Sequence, residues 1–249
     1  LAAYIDMPEW GAWSASFDID ADTAPPVGEL VDIVLAPQAD GLAKVLLLGT
    51  VRWSAAWQGR SRLEVIGGAG GLVKLLPARA YRQGPVPIQL GTVLADLVGE
   101  AGESLADGVQ STLSVDPYTL PQWVRAQGTA LTTLARLCKR FGLVWRVLDD
   151  GTILVGPRAY PDAAKYAKAN PESLAADEGL DGQQRVITTA PDAATIRPGT
   201  TVLGRHVMRV VYMVGEDGMR ADLYYPDDVG NTDRDEEEQD VRRLLPELP

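Results

Sequence analysis

One cysteine and one histidine are all that this sequence offers, and their scarcity excludes much of the chemistry that catalytic sites use. A lone cysteine, Cys138, permits no intrachain disulfide and no Cys-x-x-Cys metal or redox pair. It lies on the apolar stripe of an expected helix, so a packed thiol is the expectation rather than a nucleophile. The lone histidine, His206, has no second histidine and no Cys or Ser motif placed by sequence to join it as a base or ligand. On a strand it is expected to serve structure or an interface. Long apolar runs are missing as well. None approaches the ~20 residues of a membrane-spanning helix; residues 42–51 come nearest, and Lys44 and Gly49 interrupt them. Positive charge is short, with 23 Lys and Arg against 34 Asp and Glu and a formal net charge of −11. Phosphate binding wants clustered cations, so the balance argues against a duplex-DNA binding face. What is present is apolar: 46% of 249 residues, enough for a sizeable core in one large or two small domains. The chain starts at Leu1 rather than methionine, which is expected of a piece of a longer chain or one trimmed at its start.

The clearest local signal lies at residues 128–156. Leu131, Leu134, Ala135, Cys138 and Phe141 recur at helical spacing and form one stripe. Thr129 is placed to cap the start, and Gly142 to take the left-handed end. Lys139 and Arg140 sit in the last turn, where the helix dipole favours cations. Residues 143–147 then read as a strand, Asp149-Asp150-Gly151 as a turn and residues 152–155 as the return.

Upstream, Trp13, Ala15, Phe17 and Ile19 alternate with Ser14, Ser16, Asp18 and Asp20, the pattern of a half-buried strand. Residues 30–36, 42–53 and 61–66 read as three more. The third is expected to be central, and Gly49 within it to mark a bulge or bend. Four short strands with Gly and Pro punctuation suggest a small barrel or sandwich. The glycine run 67–71 lacks the Gly-Lys-Ser/Thr ending of a phosphate loop and the third glycine of a dinucleotide fingerprint. It reads as a bend or a close chain contact. Residues 72–90 suit a connector. Thr92 is placed to cap a short helix carrying Val93, Leu94, Leu97, Val98 and Ala101, ended by Gly102. Residues 103–123 read as loop. Residues 157–198 form a long excursion with a helical turn expected at 163–169 and a short strand at 185–189. Residues 202–214 read as one strand, 216–218 as a turn and 219–225 as its return. The acidic run 233–240 matches no EF-hand spacing and is expected to be a disordered or partner-facing tail. Trp53 and Trp57 share a face of an extended strand. They fit a sugar-stacking platform or, better, a barrel rim or subunit contact.

Several phrases stand in one order: Pro26-Val27-Gly28-Glu29, Leu48-Gly49-Thr50-Val51, a proline-rich connector, the stretch 92–102, the helix and hairpin with Trp145 and Asp150-Gly151, and Ile196-Arg197-Pro198-Gly199-Thr200-Thr201-Val202-Leu203-Gly204-Arg205. Over residues 10–226 that order resembles the tail hub, or baseplate hub, proteins of tailed bacteriophages, relatives of late control protein D and of the base of type VI secretion spikes. The resemblance implies an α+β, mainly β fold, with two small split β-barrels joined by a helix–hairpin segment. The expected division is residues 1–84 for the first barrel, 85–158 for the connector, 159–198 for the excursion, 199–228 for strands of the second barrel and 229–249 for the acidic tail. It implies a homotrimeric ring of pseudo-sixfold symmetry at the tail tip or baseplate of a virion made in the bacterial cytoplasm. The partners would be a hexameric tail tube or distal tail ring above and a threefold spike or fibre below. DNA would pass without specific binding. No catalytic residue, cofactor or metal ligand carries over. The acidic run and the expected trimming of the start are outside the resemblance.

Two other function classes compete. A tail-tip cell-wall hydrolase would need a metal cluster or paired carboxylates across a cleft, and no pair stands out. A carbohydrate-binding module would stack sugars on Trp53, Trp57 or Trp123.

Overall fold

Strand and helix patterning account for most of the chain's elements. The computed structural model describes residues 2–35, 45–81, 86–158, 174–180, 183–188, 196–202, 205–215 and 218–225. Strands β1 (Ala2–Pro8), β2 (Ser14–Ile19), β3 (Leu30–Leu35), β4 (Val45–Trp57) and β5 (Arg60–Gly67) form the first β unit. Helices α1 (Leu90–Ala101), α2 (Val109–Thr112) and α3 (Ala130–Phe141) follow, with the hairpin β6 (Val144–Val147) and β7 (Ile153–Gly156) behind them. Strands β8 (Leu174–Leu180), β9 (Gln183–Thr188), β10 (Arg209–Gly215) and β11 (Gly218–Tyr225) complete the regular structure. Strands of two or three residues stitch the connector together, as where Trp123 pairs with Tyr81. The fold is α+β and mainly β. Among the described residues no helix is long and apolar enough to cross a membrane.

The two β units share one antiparallel sheet of nine strands, in the order β8-β9-β11-β10-β1-β2-β5-β4-β3. Strand β1 is the junction: Ile5 lies opposite Ala15 of β2 on one side and Tyr212 of β10 on the other. Alternation explains its role, because Ile5 and Met7 are buried while Tyr4 turns outward. The sequence reading began at Trp13 and did not include this strand. Across the described residues the strands of the two expected split barrels run in one continuous sheet whose ends are β3 and β8, and no closed barrel is seen among them. No pairing among the described strands joins those ends.

Other expectations shift for local reasons. Helix α1 begins at Leu90 with Gln89 as its cap, three residues before the expected cap Thr92. The bulge in β4 falls between Val51 and Trp53, not at Gly49. Gly49 is there for space. A Cβ on it would lie 2.7 Å from the Trp13 ring, and one on Gly67 would lie 2.5 Å from Trp13 Nε1. Two glycines thus admit the indole of Trp13, which is 1% exposed. Strand β4 sits next to the sheet edge rather than at its centre, and Leu46 is exposed. The stretch 103–123, expected as loop, contains α2 and a two-residue strand. The expected single strand over 202–214 is broken: Thr201 pairs back onto His206 before β10 begins. Strand β8 adds a piece of sheet that the excursion did not announce. The expected helical turn at 163–169 and the acidic tail lie outside the described residues.

Helix α3 forms where it was expected. Thr129 Oγ1 accepts from the Thr132 N–H, and Gly142 closes the end with φ of 64°. Leu131, Leu134, Leu137 and Cys138 are buried against the core. Each fully buried leucine contributes about 1.5–3 kcal/mol over leaving it in water. Helix α1 supplies Leu90, Val93, Leu94, Leu97 and Val98 to the same core.

Candidate assembly surface

Five large exposed apolar side chains of the first β unit gather on β3 and β4. Leu30 and Val34 alternate outward on the sheet-edge strand β3, while Ile33 turns in. Val34 lies opposite Leu46 in register, and both are exposed. Beyond the bulge, Trp53, Ala55 and Trp57 lie opposite Glu64, Arg62 and Arg60 of β5, on the face turned to solvent. Trp53 is 44% exposed and Trp57 75%. Water-facing ion pairs border them, Arg60–Asp20 at 3.7 Å and Arg62–Asp18 at 3.9 Å. Pairs so exposed add little to stability. An aromatic and aliphatic strip with a charged rim, set beside a sheet edge, has the make-up of a protein–protein contact. Trp123 is not part of it. It is half-buried in the connector and packs on Tyr81 with ring centroids 5.3 Å apart. The three tryptophans that a sugar platform invoked are therefore not brought to one strip.

Four internal braces tie other parts of the chain together. The first is the glycine run. The Ala69 and Gly71 N–H groups donate to the Glu103 carboxylate at 2.9 and 2.7 Å. A phosphate loop turns such amides toward a ligand; here the chain's own carboxylate takes them. A Cβ on Gly71 would lie 2.1 Å from the Ala101 carbonyl oxygen, so the loop seats directly on the end of α1. This is the close chain contact expected of the run.

The second brace joins the hairpin turn to the second β unit. Arg197, 2% exposed, donates from Nε to Asp149 Oδ2 at 3.0 Å and from Nη1 to the Tyr212 hydroxyl at 2.8 Å. Thr200 Oγ1 donates to the Arg197 carbonyl at 2.7 Å and keeps the bend shut. The first five residues of the phrase 196–205 that carried the resemblance thus clamp β10 to the β6–β7 turn. The third brace is His206, whose Nε2 lies 2.9 Å from Glu9 Oε1. That hydrogen bond raises the imidazole pKa above its ordinary value, against a smaller lowering by burial. The lone histidine ties the segment just after β1 to the second β unit. The fourth is Glu100, beside Arg79 and Arg125. Burial pushes its carboxyl up, but hydrogen bonds from Arg125 and Arg79 prevail and hold it below the usual range.

Cys138 is buried in α3, as the apolar stripe implied. Among the described residues no group of three His, Cys, Asp or Glu side chains could hold a metal ion. Sequence reasoning missed Arg197, Glu103 and Glu9, because each is defined by a partner from 32 to 197 positions away. The only hint was the run of Arg, Pro, Gly and Thr at 197–200.

No family model matches the chain, and no curated protein sequence does. Solved structures do resemble it. The 43 kDa tail protein of prophage MuSo2 from Shewanella oneidensis superposes with TM-score 0.61 at 12% identity, over 91% of this chain and 93% of that one. The E. coli c3393 protein is described as a type VI secretion component similar in structure to the T4 tail proteins gp27 and gp5. It gives TM-score 0.59 at 12% identity, over 92% of this chain and 74% of that one. A tail protein from Neisseria meningitidis MC58 gives 0.54 at 14% identity, over 91% and 92%. The chain has the fold of phage tail proteins, and the resemblance read from its phrases points to the same group.

Proposed function

We propose that this chain is a structural virion protein: a homotrimeric hub at the tip of a phage tail. In this reading it adapts a hexameric tail tube or distal tail ring to a threefold spike or fibre. It forms part of the DNA exit channel and works without a catalytic site. The observation that carries the reading is the outward strip of Trp53, Trp57, Leu30, Val34 and Leu46, within a fold shared with tail proteins. Exposed tryptophans of this kind anchor subunit contacts. A ring of three copies would cover the sheet edges that a lone copy leaves open. The two β units would stand as the paired modules that give a threefold ring its sixfold look. The net charge of −11 suits a wall that DNA slides past, since like charge repels phosphate.

Mass in solution tests the assembly. The purified chain is expected to sediment as three copies, and Trp57→Ala, at a side chain 75% exposed, to sediment as one copy with an unchanged circular-dichroism spectrum and a lower melting temperature, because association stabilises the folded chain. A Trp57→Ala protein that still forms the full ring removes the strip from the interface. Release of soluble fragments from purified peptidoglycan by the intact chain would overturn the non-enzymatic reading.

A further inference from the structure

A second surface lies in the connector, and nothing in the assembly reading uses it. A cleft of about 330 Å³ opens between α3 and the strand Trp123–Arg125. Arg136 and Arg140 stand on its α3 side, one turn apart on one helix face. Both are exposed, and neither has an ion-pair partner among the described residues. Two guanidinium groups at this spacing repel each other, and a bound anion removes that repulsion. Arg125 also lines the cleft and is 1% exposed. Its Nε and Nη2 are taken by Pro77 and Glu100, but its Nη1 is buried with no hydrogen-bond partner. A buried guanidinium N–H without an acceptor costs about 1–3 kcal/mol. Trp123, Val124 and Gln127 complete the walls with an aromatic face, an exposed apolar side chain and an amide. This is a cationic, partly apolar cleft in a chain of net charge −11.

We infer that this cleft binds a carboxylate-rich polypeptide segment, and that its occupant is the chain's own run 233–240, from the same or a neighbouring copy. Charge complementarity selects it. The run holds six carboxylates and one arginine in eight residues; Val241 follows directly, and Leu244 and Leu245 come after Arg242 and Arg243, as apolar side chains for the wall of Trp123 and Val124. Arginine is suited to such a ligand because its planar fork meets a carboxylate with two parallel hydrogen bonds. The inference does not depend on the tail-hub reading and would hold for a monomer.

The test uses the full chain with the six acids of 233–240 changed to their amides, which leaves the cleft without its own ligand. A fluorescently labelled peptide of residues 231–245 is then titrated at low salt and followed by anisotropy. Saturable binding is expected, at least tenfold weaker when R136E and R140E are added, and weakening as salt rises. Arg140 sits in the last turn of α3, so the charge-reversed protein should keep its circular-dichroism spectrum and melt slightly lower; Lys139→Glu, in the same turn but outside the cleft lining, controls for general charge and for the dipole. Equal binding by the charge-reversed protein, or no binding by either, overturns the inference. So does a single-stranded oligonucleotide that displaces the peptide at lower concentration, because the cleft would then be a phosphate site.

Discussion

Arg197 shows what one side chain can join. It lies in the interior, with its guanidinium between the Asp149 carboxylate of the hairpin turn and the Tyr212 hydroxyl of β10. Removing one partner of a buried pair costs about 3–5 kcal/mol, because the remaining group loses its compensation. Asp149 still reaches water, so Arg197→Met is expected at the lower end, about 3 kcal/mol, read as a shift in denaturant midpoint with unchanged slope. His206 sets a pH dependence. Its pKa is raised in the folded chain by the hydrogen bond to Glu9. The folded state therefore holds the proton more tightly than the unfolded state. The stabilisation is whole below pH about 6.5, the ordinary histidine value, and is lost as pH rises through the elevated folded value. His206→Gln should lower the melting temperature at pH about 5.5 and change it far less at pH about 8.5. The opposite ordering would show that His206 is neutral in the folded protein. Neither role could be read from the residue's neighbours in sequence, since each depends on a partner from another element.

At the scale of elements, α3 and the β6–β7 hairpin were fully readable. Thr129, the stripe through Leu131, Leu134 and Cys138, and Gly142 act within a dozen residues of one another, and a local signal suffices for a local structure. The glycine run was half readable. That it lacks the residues of a phosphate loop is evident from sequence; that it docks on α1 through Glu103 is not. Gly71→Ala puts a methyl group into the Ala101 carbonyl, where both sides are backbone and neither gives way easily. A loss of about 2–3 kcal/mol is expected, the upper part of the range for overpacking, measured by thermal unfolding. An unchanged Gly71→Ala protein would mean that the loop is free to shift off α1. Strand β4 teaches the converse lesson. Its apolar stretch suggested a central strand buried on both faces, but an apolar residue can also be outward when a second protein is to cover it.

For the whole molecule the decisive element is β1. It carries the hydrogen bonds of β2 on one edge and of β10 on the other, so the two β units cannot unfold independently without breaking a ladder. One cooperative transition is expected by calorimetry, with calorimetric and van't Hoff enthalpies equal. Ile5→Asp, which places a carboxylate at a fully buried site, should abolish folding of both units together rather than of the first alone. Two separated heat-absorption peaks in the unaltered chain would refute this coupling.

Local sequence settles the helix and hairpin at the chain's centre and most of the alternating strands of the two β units. These follow from composition and from periodicities that act over a few residues. The tertiary structure decided how those pieces combine: that β1 merges the two units into one sheet, that Arg197 and Glu103 act as clamps, and that two tryptophans stay in water. Each of these depends on groups far apart in the chain, and pairing over such distances is settled by which surfaces can be buried together, a property of the folded molecule rather than of any local stretch.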